Sequence, residues 1–150
     1  MGIFQDLVER VTAYLGDKTL MHAAVSAASN VIVADSEVDE GEVETALLAM
    51  SANAIIDKGY DTLMLETELF DGIGRVWTRV GRADNLSRVA AIAERSIEQR
   101  NGVFLIAADA ADHEGISEVE HRALNEIAAA LVVDKETLLR LAHVKPSIAP

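Results

Sequence analysis

Apolar residues recur at a spacing of three to four along almost the whole chain, which is the period of one face of an α-helix. Residues that interrupt helices are scarce, since the 150 residues include only nine glycines and two prolines. The alternating polar and β-branched runs typical of strands are absent. The pattern therefore predicts an all-α fold in which seven or eight helices share one core. The predicted helices cover residues 2–15, 18–34, 39–56, 60–80, 85–100, 102–113, 117–132 and 135–143.

Turn and capping residues separate these predicted helices. Gly16 and Asp17 follow the first helix, residues 57–59 follow the third, and residues 82–85 precede the fifth. No linker or low-complexity stretch divides the chain, and 150 residues is the size of one ordinary domain. We therefore expect residues 1–150 to form a single domain, with an irregular tail at residues 145–150.

Two acidic segments with similar sequences each lie between predicted helices. Residues 34–42 have the sequence ADSEVDEGE, and residues 111–120 have ADHEGISEVE, with Gly115 as one additional residue. Each segment predicts the end of an apolar helix, a carboxylate-rich turn and a new helix that opens with a capping box. We call residues 34–42 the first acidic corner and residues 111–120 the second, and we expect an internal pseudo-two-fold repeat. The predicted capping boxes join Asp39 to Glu42 and Ser117 to Glu120.

Carboxylates that gather in one place usually share a cation, but those in the first turn of a helix also complement the helix dipole. The dipole explains four glutamates, which we do not take as ligands: Glu40, Glu42, Glu118 and Glu120. The acids that precede the caps are better candidates, together with Asp109, one helical turn before Asp112. Asp39, which is also a cap, is a further candidate. The candidate metal ligands are Asp35, Glu37, Asp39, Asp109, Asp112 and Glu114.

The ligand spacing does not match the calcium loop of an EF-hand, which needs Gly at its sixth position and Glu at its twelfth. Counted from Asp35 these positions hold Glu40 and Ala46, and counted from Asp112 they hold Ser117 and Ala123. Oxygen ligands outside an EF-hand suit calcium, with magnesium as the alternative. The residues alone leave two interpretations open, a cation site and a solvated acidic face.

The charge of the chain restricts its partners. Asp and Glu total 25 against 13 Lys and Arg, so the formal net charge is −12, which repels nucleic acid and anionic lipid. Cysteine is absent, which excludes disulfides, thiol nucleophiles and soft thiolate metal sites. The sequence has no signal-peptide pattern and no apolar run of the roughly 20 residues that cross a bilayer. We expect a cytoplasmic protein that neither binds nucleic acid nor inserts into a membrane.

The two corners and the helices around them resemble the tellurite-resistance TerB family over nearly the whole chain. The resemblance is carried by the D-x-E-[VI]-[DS]-x-x-E pattern of the first corner, by the region from Leu20 to Met50, by the region from Phe104 to Leu131, and by the ending Leu131–Glu136. Corners of this family usually carry an Asp-Gly pair, whereas this chain has Ser36 after Asp35 in the first corner and Gly115 after Glu114 in the second.

The resemblance implies an all-helical, pseudo-two-fold fold and a divalent-cation site, with calcium as the expected ion. It also implies a role in tellurite resistance and a stress response, in association with other Ter-system proteins that include an integral membrane partner. The protein would then be cytoplasmic and peripheral to the inner membrane through that partner. No catalytic motif is carried over from the family. Because cysteine is absent, this chain cannot reduce tellurite by thiol chemistry, so any resistance is indirect.

Two functions from other classes remain as alternatives. The first is a metal-free adaptor whose acidic face meets a basic protein. The second is a hydrolase that uses His113 with a neighbouring carboxylate, although aromatic residues, which line many substrate clefts, are only 4% of the chain.

Trp77 lies in the one basic stretch of the sequence, with Arg75 and Arg79 close by. We expect the arginines of this stretch, Arg75, Arg79, Arg82 and Arg88, to pair with acids such as Glu66, Glu68 and Asp71. An exposed Trp77 beside them is instead typical of a protein-docking anchor, and the sequence does not decide between these two roles.

Overall fold

Helices make up nearly all of the regular structure in residues 16–112 and 115–140, the parts of the chain that this computed structural model describes. No described residue lies in a β-strand, so the all-α prediction is confirmed. Seven helices are complete within these ranges, and residues 135–140 are helical as well and are called α8. The seven are α1 (Lys18–Ile32), α2 (Glu40–Ala52), α3 (Ala54–Gly59), α4 (Thr62–Val76), α5 (Arg79–Ala90), α6 (Ile97–Ala111) and α7 (Glu118–Leu131).

Helix α1 lies at the centre of the fold because it is apolar on nearly every side. All of its residues except Lys18, Thr19 and His22 are buried. It packs against α2, α4, α5, α6 and α7, and its many alanines allow these neighbours to approach closely. A helix that is buried all round requires partners on all sides, so the other helices are arranged around α1.

A buried polar network joins three of these helices. Asn85 Nδ2 on α5 donates to Asn30 Oδ1 on α1 (3.0 Å) and to the carbonyl of Gly72 on α4 (3.1 Å). The Asn85 carbonyl oxygen accepts a hydrogen bond from Arg75 Nε on α4 at 2.7 Å. Because every polar atom of the Asn85 side chain has a partner, the network fixes the positions of α1, α4 and α5 without leaving a buried polar group unpaired.

Several predicted helix boundaries were wrong. The predicted helix 39–56 is divided at Asn53, whose side chain accepts the N–H groups of Ile55 and Ile56 and so caps α3. The predicted helices 60–80 and 85–100 are replaced by α4 and α5, which meet at the capping residue Thr78. Residues 82–85 lie inside α5 and do not interrupt a helix. Asn85 is accommodated there because its side chain belongs to the buried network. The helix predicted at 102–113 begins at residue 97 instead, after the cap Ser96.

Two predictions lie outside the described residues, namely the helix at 2–15 and the irregular tail at 145–150. The predicted helices 18–34 and 117–132 agree with α1 and α7 within two residues. The pseudo-two-fold repeat stays a prediction. No helix of the described part combines the length and the apolar character that crossing a membrane requires.

Two glycines on α4 give a matched test of the packing between α1 and α4. A Cβ at Gly72 would lie 2.3 Å from Ser29 Oγ, whereas a Cβ at Gly74 would have nothing within 4 Å. We expect Gly72→Ala to lower the free energy of unfolding by about 1–3 kcal/mol through overpacking. Gly74→Ala should raise it by about 0.5–1 kcal/mol, because alanine favours the helix. Denaturant unfolding of the two variants measures both effects.

Ser29→Ala in the Gly72→Ala background provides the control, since it removes the hydroxyl group that the new Cβ would meet. The double variant should recover part of the lost stability, because the remaining neighbours lie at 3.2 Å (Val25 Cγ1) and 3.3 Å (Ser29 Cβ). Equal stabilities for the Gly72→Ala and Gly74→Ala variants would contradict this account of the helix crossing.

Candidate functional site

The first acidic corner turns the chain between α1 and α2. Helix α1 ends at Ile32, and the turn that follows places Ser36 at φ 67°, in the left-handed region. Asp35 Oδ1 accepts the N–H of Glu37 at 3.2 Å, which closes the turn. Asp39 Oδ1 then caps α2 by accepting the N–H groups of Gly41 (2.7 Å) and Glu42 (3.3 Å). The carboxylates of Asp35 and Asp39 are thus partly occupied with the local backbone.

The second corner starts α7 with a complete capping box, as predicted. Ser117 Oγ accepts the N–H of Glu120 at 3.2 Å, and Glu120 Oε1 accepts the N–H of Ser117 at 2.8 Å. In the first corner only half of the predicted box forms. Asp39 accepts the N–H of Glu42, but the Glu42 carboxyl group makes its side-chain contact with Glu120.

Glu42 and Glu120 join the two corners in the interior. Their exposed fractions are 8% for Glu42 and 3% for Glu120. Glu42 Oε1 is buried and receives no hydrogen bond from any described donor. A buried carboxylate oxygen without a donor, in contact with a second carboxyl group, is unfavourable unless a proton or a cation lies between them.

The electrostatics of the pair favour the protonated form of Glu42. Burial is the largest cause, followed by the hydrogen bond to Glu120 and its charge and then by the charges of Asp35 and Asp39, and together they raise the pKa of Glu42 from 4.5 to about 9. The folded structure therefore favours the protonated form of the Glu42 carboxyl group at neutral pH. A divalent cation offers the same neutralisation and could take the place of that proton.

The described candidate metal ligands lie in two separate parts of the structure. Asp35 and Asp39 are close enough to Glu42 to influence its pKa, and Glu37 is exposed in the same turn. Asp109 and Asp112, on and just after α6, are exposed and line a shallow groove with Thr45, Leu48 and Ala49 of α2. Glu114 and His113 lie outside the described residues.

Among the described residues, no group of three or more acidic or histidine side chains is arranged to hold a metal ion. The six predicted ligands thus do not form one coordination shell in the described part of the chain, and their role in metal binding stays a prediction. What the structure does bring together is one carboxyl group from each corner.

Neither glutamate of this pair was predicted as a metal ligand, because each is explained locally by the helix dipole and by a predicted capping box. A signal for their burial was present in the helical period. Glu42 lies one turn before Ala46 and two turns before Met50, both buried on α2, and Glu120 precedes Leu124 and Ile127 on α7 in the same way. A glutamate at the same position of both corners, each on an apolar face, indicates a pair that meets inside the fold.

The basic stretch forms ion pairs on the surface, although with other acids than expected. Arg88 Nε lies 3.1 Å from Asp84, and Arg82 Nη2 lies 2.6 Å from Glu126. Arg75 contributes to the buried network through Asn85 and lies 3.8 Å from Asp84. Trp77 remains 57% exposed beside them. The predicted pairing of these arginines with acids is therefore confirmed in kind. Of the expected partners, Asp71 and Glu68 act on Arg75 through their charges, but neither they nor Glu66 lie within ion-pair distance of a described arginine.

No protein-family model, curated protein or solved structure was found to match this chain. The resemblance to the TerB family therefore stays a prediction that depends on the residues of the two corners. The function proposed below therefore depends on the geometry of the two corners.

The raised pKa of Glu42 predicts how stability depends on pH in the presence of a chelator. A group whose pKa is higher in the folded state than in the unfolded state stabilises the fold fully below the unfolded value of 4.5 and loses that contribution as the pH rises towards about 9. We expect the melting temperature to fall across this range. Glu42→Gln should flatten the profile, because its amide can donate to Glu120 without titrating.

Glu44→Gln is the matched control, since Glu44 is on the same helix but exposed. It makes the same chemical substitution at an exposed position of the helix and should keep the wild-type slope. If thermal melts of the Glu42→Gln and Glu44→Gln variants had the same dependence on pH, Glu42 would not be the titrating group.

Proposed function

We propose that this protein is a non-catalytic, TerB-type stress-response protein that binds a divalent cation where its two acidic corners meet. The observation that carries the proposal is the buried contact between Glu42 and Glu120, in which one carboxylate oxygen has no described donor. In the proposed site these two carboxyl groups hold the ion from opposite corners. The remaining ligands would be water molecules, and Asp35 and Asp39, whose charges already act on Glu42, add to the negative potential that attracts the ion.

Calcium is the ion that this arrangement suits best. Calcium accepts six to eight oxygen ligands in flexible geometry, whereas magnesium requires a near-ideal octahedron. The two carboxylates come from the starts of two separate helices, whose positions are set by packing, and calcium tolerates such placement better than magnesium. Absence of cysteine and the oxygen-rich surroundings disfavour softer metals.

Cation binding would act on the angle between the corners. With a proton, Glu42 and Glu120 are held by one hydrogen bond, whereas a divalent ion attracts both carboxylates and their acidic neighbours together. The starts of α2 and α7 would then be fixed relative to each other, and the surface around the first corner with them. A cation-dependent surface of this kind is a means to recruit protein partners, and the TerB resemblance points to other Ter-system proteins, including an integral membrane partner of a cytoplasmic protein.

A metal-free acidic adaptor is the second candidate, and one observation favours it. Protonation of Glu42, which its raised pKa favours at neutral pH, removes the charge repulsion within the Glu42–Glu120 pair without any ion. The two candidates differ in one respect: a chelator should affect partner binding by a cation-dependent protein and leave the metal-free adaptor unchanged.

Calorimetric titration of the chelator-treated protein with calcium and with magnesium tests the proposal. We expect saturable binding of calcium, a rise in melting temperature on binding, and release of a proton, so that the heat depends on the ionisation enthalpy of the buffer. Affinity should increase with pH, because the ion displaces the proton of Glu42. Glu42→Gln should weaken calcium binding by at least about tenfold.

Glu44→Gln again serves as control, since it removes one negative charge from the same helix without touching the pair. It should change calcium affinity by no more than about twofold, as expected for a screened surface charge. Absence of calcium binding by the folded protein, or equal losses in the two variants, would refute the cation site and leave the metal-free adaptor.

A further inference from the structure

A groove of about 560 Å³ lies between α2 and α4, on the surface next to the first corner. Val43 and Leu47 of α2 form its buried floor, and Val38 and Phe70 form apolar walls that are 42% and 52% exposed. Leu63, seven residues before Phe70 on the same face of α4, is 71% exposed. Exposed apolar side chains that are grouped on helices in this way indicate a contact surface.

The rim of this groove is acidic, and within residues 16–112 and 115–140 no basic side chain pairs with it. Its charged residues are Glu40 and Glu44 on α2 and Glu66 on α4, and no basic residue is among its described lining residues. None of the three glutamates forms an ion pair with a described residue, in contrast to the arginines near Trp77. Glu40 and Glu44 are four residues apart, a spacing at which like charges on a helix repel each other. A cationic partner would relieve this repulsion.

We propose that this groove binds a basic amphipathic helix of a partner protein. The apolar face of such a helix, with anchors at positions i, i+3 or i+4 and i+7, would lie on Val43, Leu47 and Phe70. Its lysine and arginine side chains would meet Glu40, Glu44 and Glu66 on the rim. Apolar contacts would supply most of the affinity, and the charges would set the orientation and the choice of partner.

Charge complementarity decides among the occupants. Nucleic acid and anionic lipid are repelled by the rim and by the net charge of −12. The first fifteen residues of this chain have apolar side chains, but Asp6 and Glu9 outnumber Arg10, so this segment offers the rim no net positive charge. A second copy of the chain is also strongly acidic. A basic partner helix satisfies both the apolar floor and the acidic rim.

This inference deepens the proposed function, because it names the kind of partner, and it rests only on the partner-binding part of that function. Val38 and Glu40 belong to the first corner and Glu42 follows on the same helix, so an ion at the Glu42–Glu120 pair would lie close to one wall of the groove. The groove itself does not depend on the ion. Its test therefore includes titrations with chelator and titrations with calcium.

The probe is a synthetic four-turn peptide with leucines along one face and lysines elsewhere, and its scrambled version, which has the same composition, is the peptide control. Fluorescence anisotropy measures its affinity for the full chain at near-physiological salt. We expect the amphipathic peptide to bind more tightly than the scrambled one. Phe70→Ser should weaken its binding by at least about tenfold, as should the double variant Glu44→Lys with Glu66→Lys.

Each variant has a matched control outside the groove. Val80→Ser changes another apolar residue, 82% exposed on α5, and the double variant Glu94→Lys with Glu136→Lys makes the same change in net charge on exposed positions. Both controls should change affinity by no more than about twofold. Thermal melts verify that all variants fold.

Four results would overturn the proposal. Equal binding of the two peptides, or equal losses in the two charge variants, would mean that only overall acidity attracts the probe. A dimer of the wild-type protein that Phe70→Ser converts to a monomer, measured by sedimentation, would assign the groove to a second copy. Absence of peptide binding with and without calcium would leave the groove without this function. Calorimetric titration of the same groove variants with calcium tests the cation site independently. A failure of the groove proposal can therefore be distinguished from a failure of the cation site.

Discussion

The fold depends on one constraint, the burial of α1 on every side. A helix in which only three residues are not buried is stable only when neighbours cover its circumference, and α2, α4, α5, α6 and α7 provide that cover. The first acidic corner turns the chain at the end of α1, and the second connects α6 and α7, two of the helices that cover α1. Both corners therefore lie where the chain passes from one helix of this packing to the next.

The contact between Glu42 and Glu120 is the place where burial and charge oppose each other. Apolar packing brings the starts of α2 and α7 inside, and the carboxyl group that each start carries is brought inside with it. Glu120 is bound to its own capping residue through a backbone N–H, whereas the Glu42 carboxyl group receives no such bond. The pair is thus asymmetric, with one fixed member and one that changes its charge state. That asymmetry makes the site responsive to a proton or to an ion.

The helical period and the capping residues account for what could be predicted from the sequence. The all-α fold, α1, α7 and the Ser117–Glu120 capping box were predicted because each depends on residues near in sequence. The boundary between α4 and α5 was not predicted. Asn85 resembles a turn residue when only its neighbours in sequence are considered, but partners on α1 and α4 hold it inside a helix. The Glu42–Glu120 pair was missed for a similar reason: each glutamate alone resembles an ordinary helix start, and only tertiary packing brings the two into contact.

Ser36 has a consequence for how corners of this kind are recognised. Its backbone has φ 67°, a conformation that glycine adopts freely and that costs other residues of order 1 kcal/mol. In this chain the turn thus forms with a serine at a left-handed position. The order of features, a buried helix end, an aspartate that closes the turn, a cap and an inward glutamate, describes the corner without any glycine. A search for corners of this kind therefore should not require a glycine after the aspartate.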